Sequence, residues 1–330
     1  MKHWINRLGR RDFLKTAGFS LAALPSIDLL RLPLPRPKGP ARVAVVRTAD
    51  REEGVSRILK LMDLSRMAGR HVVLKPNFNS ADPAPAATDP DMLARLVREI
   101  QDRGARKITL GESSGPQGTA RVMAEYGVHD MARAMGFDVV NYDEIADTDW
   151  VRFGPEGTHW PEGFALPRHV VEAEYNVATC CLKTHGFGGV FTMALKLSVG
   201  LTPRQIRRPM HRSDDMRLMI AELNLGYRPD LIVVDGVTAF TDGGPSTGEE
   251  KRADVMIAGD DPVAVDAVGV AVLRKLGSNE AIMNTPVFQQ EQIARAVDIG
   301  LGVGSPDLIE FVTPDAATRD YAESLRPLMA

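Results

Sequence analysis

Residues 175–185, YNVATCCLKTH, decide how the rest of the chain is read. From Val177 to Leu182 the run is mostly apolar and lacks the alternation of a half-exposed strand, which predicts a strand buried on both faces. Lys183, Thr184 and His185 then arrive together, and HGFGG (185–189) sets glycines on either side of Phe187. A buried strand that exits into a polar cluster fits a parallel sheet wrapped by helices, where ligands collect at strand ends.

The flanking sequence alternates in the same way. ARVAVVRT (41–48), RHVVLKPNFNS (70–80), KITLGESSG (107–115) and FDVVNYDE (137–144) predict strands. Helical periodicity separates them in EEGVSRILKLMDLS (52–65), DPDMLARLVREIQDRG (89–104) and GTARVMAEYGVHDMARAMG (118–136), the last broken near Gly127. Asp89 and Pro90 are a helix start and Gly104 a stop. Beyond the opening stretch, FTMALKLSVG (191–200), MRLMIAELNLGY (216–227), DPVAVDAVGVAVLRKLG (261–277) and QQEQIARAVDIG (289–300) predict helices. DLIVVDGV (230–237) and ADVMIAGD (253–260) predict buried strands, and LIEFVTP (308–314) an edge strand. The expected fold is α/β: a doubly wound, mostly parallel sheet. The Trp-, Gly- and Pro-rich stretch within 144–168 is expected to form a small inserted antiparallel or loop subdomain.

Composition narrows the function classes. The chain has 330 residues, 44% of them hydrophobic and 25% charged, as in an ordinary globular protein. With 40 Lys+Arg against 43 Asp+Glu the formal net charge is −3, so no global positive field points to nucleic acid. The two cysteines, Cys180 and Cys181, are adjacent. They are too few for a cluster of iron and sulfur held by cysteines, and read first as small buried hydrophobes, with a vicinal redox pair or a soft-metal site as the alternative. The N-terminus resembles a twin-arginine export signal: Gly9, Arg10, Arg11, Asp12, Phe13, Leu14 and Lys15 precede a moderately apolar stretch. The expected organisation is therefore a signal segment (1–31), a Pro-rich linker (32–40) and an α/β domain (41–330). Export machinery is the expected partner and the periplasm the expected location. No stable membrane span is expected, because the apolar stretch is shorter than the roughly 20 residues a span requires.

Polar residues concentrate at the strand ends. Lys75, Asn77 and Asn79 follow HVVL, Glu112, Ser113 and Ser114 follow KITL, and Asp235, Asp260 and Asp261 end or follow the later strands. Asp and Ser at such points also cap helices, and Asp261 before Pro262 reads as an N-cap. Lys75 and Lys183 each end an apolar strand and need a partner or a depressed pKa, or else snorkel to solvent. His185 supplies acid–base or ligand chemistry near neutrality. Lys75, Lys183 and His185 are thus the catalytic candidates. Asn77, the glycines of HGFGG around position 187 including Gly189, the pair Gly243 and Gly244, and Lys196 are the cofactor- or anion-binding candidates. Lys196 fits either the crevice or a solvated helix face. Asp235, Asp260 and Asp266 are candidates for a divalent metal, because oxygen ligands suit magnesium or calcium. Neither glycine loop carries the lysine–hydroxyl ending of a P-loop.

LKPNFN (74–79), GES (111–113), LKTH (182–185), ALKLSVG (194–200), VVDGV (233–237) and GDDPVAVDAVG (259–269) together resemble a bacterial and archaeal family catalogued as domain of unknown function 362. The resemblance implies that Lys75, Asn77, Lys183, His185, Lys196, Asp235, Asp260, Asp261 and Asp266 align with its polar positions. It brings no reaction with it. Family members often carry Asn after the helix lysine, where this chain has Leu197, and many carry a ferredoxin-like segment, whereas this C-terminus has no cysteine. The expected function is a metal-assisted enzyme acting on a small anionic substrate by acid–base chemistry, with a non-catalytic anion- or cofactor-binding protein as the alternative and a redox protein behind both.

Overall fold

The structure is a computed structural model that describes residues 39–330; the expected signal segment and nearly all of the expected linker lie outside the described residues. Its strands are β1 (Ala41–Arg47), β2 (His71–Lys75), β3 (Lys107–Glu112), β4 (Asp138–Asn141), β5 (Trp150–Phe153), β6 (Phe164–Pro167), β7 (Tyr175–His185), β8 (Val190–Thr192), β9 (Leu231–Gly243), β10 (Gly248–Gly259) and β11 (Ile309–Val312). Nine of them form one sheet in the order β11-β1-β10-β9-β7-β2-β3-β4, with β8 added on β7. The α/β fold expected from the sequence is the one observed. Pairing is parallel from β9 through β7, β2 and β3 to β4 and between β1 and β11, and antiparallel where β10 meets β1 and β9.

Both faces of this sheet are covered, which explains the unbroken apolar runs. Alternate residues divide between two cores: Val43, Val45, Val73, Ile232 and Val234 pack on one side, and Ala44, Val46, Val72, Leu74, Leu231 and Val233 on the other. Helices Arg51–Ile58, Pro90–Asp102 and Val128–Met135 cover the second side. Helices Met216–Leu223, Pro262–Leu276 and Glu291–Asp298 cover the first, together with the β5–β6 pair. Asp89 accepts the amides of Asp91 and Met92, and Asp261 those of Val263 and Ala264, so both act as the N-caps their Asp-Pro sequences suggest.

Two segments differ from the sequence expectation. FTMALKLSVG is not one helix: Phe191 and Thr192 belong to β8, because Thr192 pairs with Lys183. The helix begins at Ala194, where the buried carboxylate of Asp266 accepts the amides of Ala194 and Leu195 at 2.7 and 3.1 Å. DLIVVDGV and ADVMIAGD are the inner halves of β9 and β10, strands of 13 and 12 residues paired as a long hairpin. TDGGPSTGEE is its turn. Gly243 and Gly244 hold φ of 77° and 73° there, the left-handed region that glycine enters without strain. The expected excursion within 144–168 is the antiparallel pair β5–β6, whose Phe153 and Phe164 rings stack with centroids 4.8 Å apart.

The strand order fixes where a crevice opens. From β2 the chain proceeds outward to β3 and β4, then returns to place β7 on the other side of β2. The connections leave these two neighbouring strands in opposite directions, so their carboxyl ends flank a topological switch point. Lys75 and Lys183 stand at those ends.

Candidate functional site

Lys75 leaves β2 buried, 2% exposed, and its ammonium lies 2.6 Å from Glu112 Oε1 at the end of β3. Burial pulls the lysine pKa down and the Glu112 charge opposes that shift. Glu112 also accepts the amides of Phe78 and Ser113, each at 2.8 Å. One carboxylate thereby fastens the loops after β2 and β3 and offsets the lysine charge. Lys183 is fully buried and has a different environment. Its ammonium donates to the carbonyls of Ala86 and Pro245, bridging the loop after β2 to the β9–β10 turn. Among the described residues no carboxylate pairs with it, and burial lowers its pKa.

His185 is 5% exposed at the tip of β7. The Gly189 amide donates to its Nδ1 at 3.2 Å, which leaves the proton of a neutral ring on Nε2. Burial, aided by Lys196 and His211, drives its pKa down to about 2, so the ring is neutral at physiological pH. His211 stands 6.1 Å away between ring centroids. Its Nδ1 is 2.8 Å from the Arg207 carbonyl, so Nδ1 holds the proton and Nε2 keeps its lone pair; burial brings its pKa to about 4. The two rings therefore present opposite hydrogen-bonding characters.

Lys196 completes the group. Asp266 starts the short helix Ala194–Leu197 at a fixed point, and the lysine stem passes against Gly189, where a Cβ would lie 3.0 Å from Lys196 Cε and 2.8 Å from His185 Nδ1. Lys196 is 8% exposed, and among the described residues its ammonium has no hydrogen-bond or ion-pair partner. Burial, with Lys183 and Arg207 nearby, lowers its pKa to about 7. Arg207, within helix Arg204–Met210, spends its guanidinium on the carbonyls of Ser113, Ser114 and Thr202. Arg204 reaches Asp143, which also accepts from Ser113 and Thr119. The carboxyl edge thus gathers Lys75, Lys183, Lys196, Arg204 and Arg207 against the carboxylates of Glu112 and Asp143. Several polar atoms of its loops and of β8 are buried without partners, among them Asn77 Oδ1, Ser80 Oγ, Ser114 Oγ and Thr192 Oγ1.

The remaining candidates sit apart from this group. Asp235 forms a 2.7 Å ion pair with Arg51 and accepts the Val237 amide, with burial raising its pKa. Asp266 is committed to the backbone of Ala194 and Leu195, and burial raises its pKa to about 7. Asp260 is exposed beyond β10. The three are held by different partners, and among the described residues no group of three or more His, Cys, Asp or Glu side chains is placed to hold a metal ion. The glycine amides are engaged as well: Gly186 donates to Gly244 O, Gly189 to His185, Gly243 to Asp242 and Gly244 to Thr247 O. Their job is to let two loops touch, since a Cβ on Gly244 would stand 2.1 Å from Thr184 O. Position 187 is Phe187, 71% exposed and edge-on to His185 at 6.0 Å. Cys180 and Cys181 are free and buried, and burial lifts the Cys181 thiol to about 12.

The sequence reading missed His211, Arg207 and Arg204, which lie in RQIRRPMHR (204–212). The available signal was its density of cationic and imidazole groups, and nothing local tied it to strand ends that lie 26 residues earlier for His185, 61 for Asp143 and 93 to 94 for Ser114 and Ser113.

The Domain of unknown function (DUF362) profile matches residues 72–271, a span that contains Lys75, Glu112, Lys183, His185, Lys196 and His211. A thylakoid-associated protein of Synechocystis is 24% identical over 214 residues, 62% of this chain and 64% of that protein, so the chain spans just under two thirds of that relative's length. Among solved structures, the lactate racemase apoprotein from Thermoanaerobacterium thermosaccharolyticum is 18% identical with a TM-score of 0.41, over 63% of this chain and 52% of that one. A Thermotoga maritima protein is 12% identical with a TM-score of 0.42, over 68% and 56%. With the family profile covering well over half of the chain, this protein belongs to the DUF362 family.

Proposed function

We propose that the chain binds a small anionic compound at the switch-point crevice between β2 and β7 and moves a proton on it. The observation that carries this is Lys196: an almost buried lysine whose ammonium has no partner among the described residues, set beside two histidines of opposite hydrogen-bonding character. The surrounding cations outnumber the carboxylates, so the local field favours an anion even though the whole chain is slightly acidic. In this scheme the joint positive field of Lys183, Arg207 and Lys196 meets the negative charge, His185 Nε2–H donates to oxygen where charge develops, and His211 Nε2 accepts the proton. An anion seated there raises the low pKa values of both rings toward the working range. Lys75 and Lys183, whose ammonium groups already have partners, brace the loops and contribute charge. The proposed chemistry runs through these side chains, and Asp235, Asp260 and Asp266 have no metal-binding part in it.

The test is solvent exchange. Small carboxylates bearing a proton next to the carboxyl group are incubated with the protein in D2O and followed by proton NMR. Exchange that disappears in His211→Gln supports the scheme. Binding without exchange across the set leaves the non-catalytic reading. Export is also part of the proposal, on the strength of Gly9–Lys15. Fusing residues 1–40 to a reporter that works only after twin-arginine export tests it, with Arg10→Lys and Arg11→Lys together expected to abolish the signal. Among the described residues no helix is long and apolar enough to cross a membrane.

A further inference from the structure

We propose that Lys196 is a covalent nucleophile that forms an imine with a small aldehyde or ketone carrying a carboxylate, which narrows the substrate class of the site proposed above and rests on that reading. A lysine whose only task is to hold an anion works best fully charged, and a fold secures that with a neighbouring carboxylate, as Glu112 does for Lys75. Lys196 is treated in the opposite way. It is 8% exposed, has no carboxylate or other acceptor among the described residues, and lies within the fields of Lys183 and Arg207. Both cations are immobilised by backbone carbonyls and cannot swing away. Desolvation next to fixed positive charge is the standard way to keep a lysine amine unprotonated and nucleophilic near neutrality. With its pKa at about 7, roughly half of Lys196 is free amine at pH 7, about a thousandfold more than for a lysine titrating near 10.4.

The neighbouring groups suit the steps. The Nζ lone pair attacks the carbonyl carbon and a C–N bond forms. The carbonyl oxygen then leaves as water, carrying both amine hydrogens, and the C=N bond closes. His185 Nε2–H donates to that oxygen as it departs. The imine nitrogen then takes one proton from water and becomes an electron sink; where the carbon beside the imine carbon bears a hydrogen, His211 Nε2 is the lone pair available to accept that proton. The carboxylate of the substrate meets the positive field of Lys183 and Arg207. Gly189 is what allows the lysine stem and the His185 ring to lie side by side.

Reductive trapping tests this on the full chain. The protein is incubated with pyruvate or glyoxylate and sodium cyanoborohydride at pH 7, digested, and every lysine quantified by mass spectrometry. The expected result is an adduct on Lys196 formed at least tenfold faster than on the exposed Lys60 and Lys107, absent in Lys196→Arg, with labelling that rises through pH 7. Labelling of Lys196 no faster than of Lys60 and Lys107 overturns the proposal, and because that ratio is read in the unmodified chain it holds even if Lys196→Arg fails to fold. Acetate, which has no ketone or aldehyde carbonyl, is titrated in parallel while the His185 and His211 resonances are followed. Acetate binding without any adduct overturns the covalent step and leaves the anion site standing; neither binding nor adduct overturns both.

Discussion

Replacing Glu112 by Gln should be the most damaging isosteric change in the crevice. Glu112 Oε1 sits 2.6 Å from the Lys75 ammonium and 2.8 Å from the Ser113 amide, and Oε2 takes the Phe78 amide at 2.8 Å. Three donors converge on it, so a Gln amide must turn its NH2 toward at least one of them. The Lys75 charge meanwhile stays buried, with both side chains only 2% exposed. Water has little space to compensate, because a Cβ on Gly200 would already lie 2.9 Å from both Glu112 Oε1 and Lys75 Nζ. Breaking a buried pair from one side typically costs about 3–5 kcal/mol, a large share of a margin of roughly 5–15 kcal/mol. Urea unfolding followed by circular dichroism should register that loss in Glu112→Gln. Adding Lys75→Met removes the stranded ammonium, so the double variant should be less destabilised than the sum of the single ones by about 1–3 kcal/mol. A Glu112→Gln protein within about 1 kcal/mol of the parent, or strictly additive variants, would show that this pair does not hold the two loops together.

The two site histidines should make the fold acid-sensitive. Their folded pKa values, about 2 for His185 and about 4 for His211, lie below the unfolded value near 6.5, so the unfolded chain binds more protons below that pH and stability falls as pH drops. Each contributes a slope of up to about 1.4 kcal/mol per pH unit, and His211→Gln should flatten the decline measured between pH 6.5 and 4; parallel curves would contradict the burial assigned to His211. Gly244→Ala combines a φ of 73° with a Cβ placed 2.1 Å from Thr184 O, so a loss of at least about 2 kcal/mol in denaturant unfolding is expected, and a loss below about 0.5 kcal/mol would mean the loop contact is soft. Cys180 and Cys181 should resist a disulfide exchange reagent until the chain unfolds, since burial raises both thiols; rapid labelling of the native protein would reopen a redox role.

The sequence by itself determined the layered α/β fold, because helical and strand periods alternate over long stretches and both-face burial leaves continuous apolar runs that pattern alone reveals. It also determined which residues end the strands, so Lys75, Glu112, Lys183 and His185 were legible as a set, as was the Asp261 cap. Only the tertiary structure decided which partners each of them takes. Lys75 and Lys183 read alike, yet one found a carboxylate and the other two carbonyls, a difference made by loops about 35 and 60 to 100 residues away in the chain. Asp235 and Asp266 read as metal ligands, but Arg51 and the amides of Ala194 and Leu195 claim them. Lys196 was ambiguous because a lysine in a short apolar helix looks the same whether it faces water or a crevice. Its isolation follows from Asp266 fixing the helix start and from Gly189 admitting its stem beside His185. Periodicity is a local property that a chain displays along its length, whereas pairing, desolvation and the pKa values they set come from contacts that exist only once distant segments are brought together.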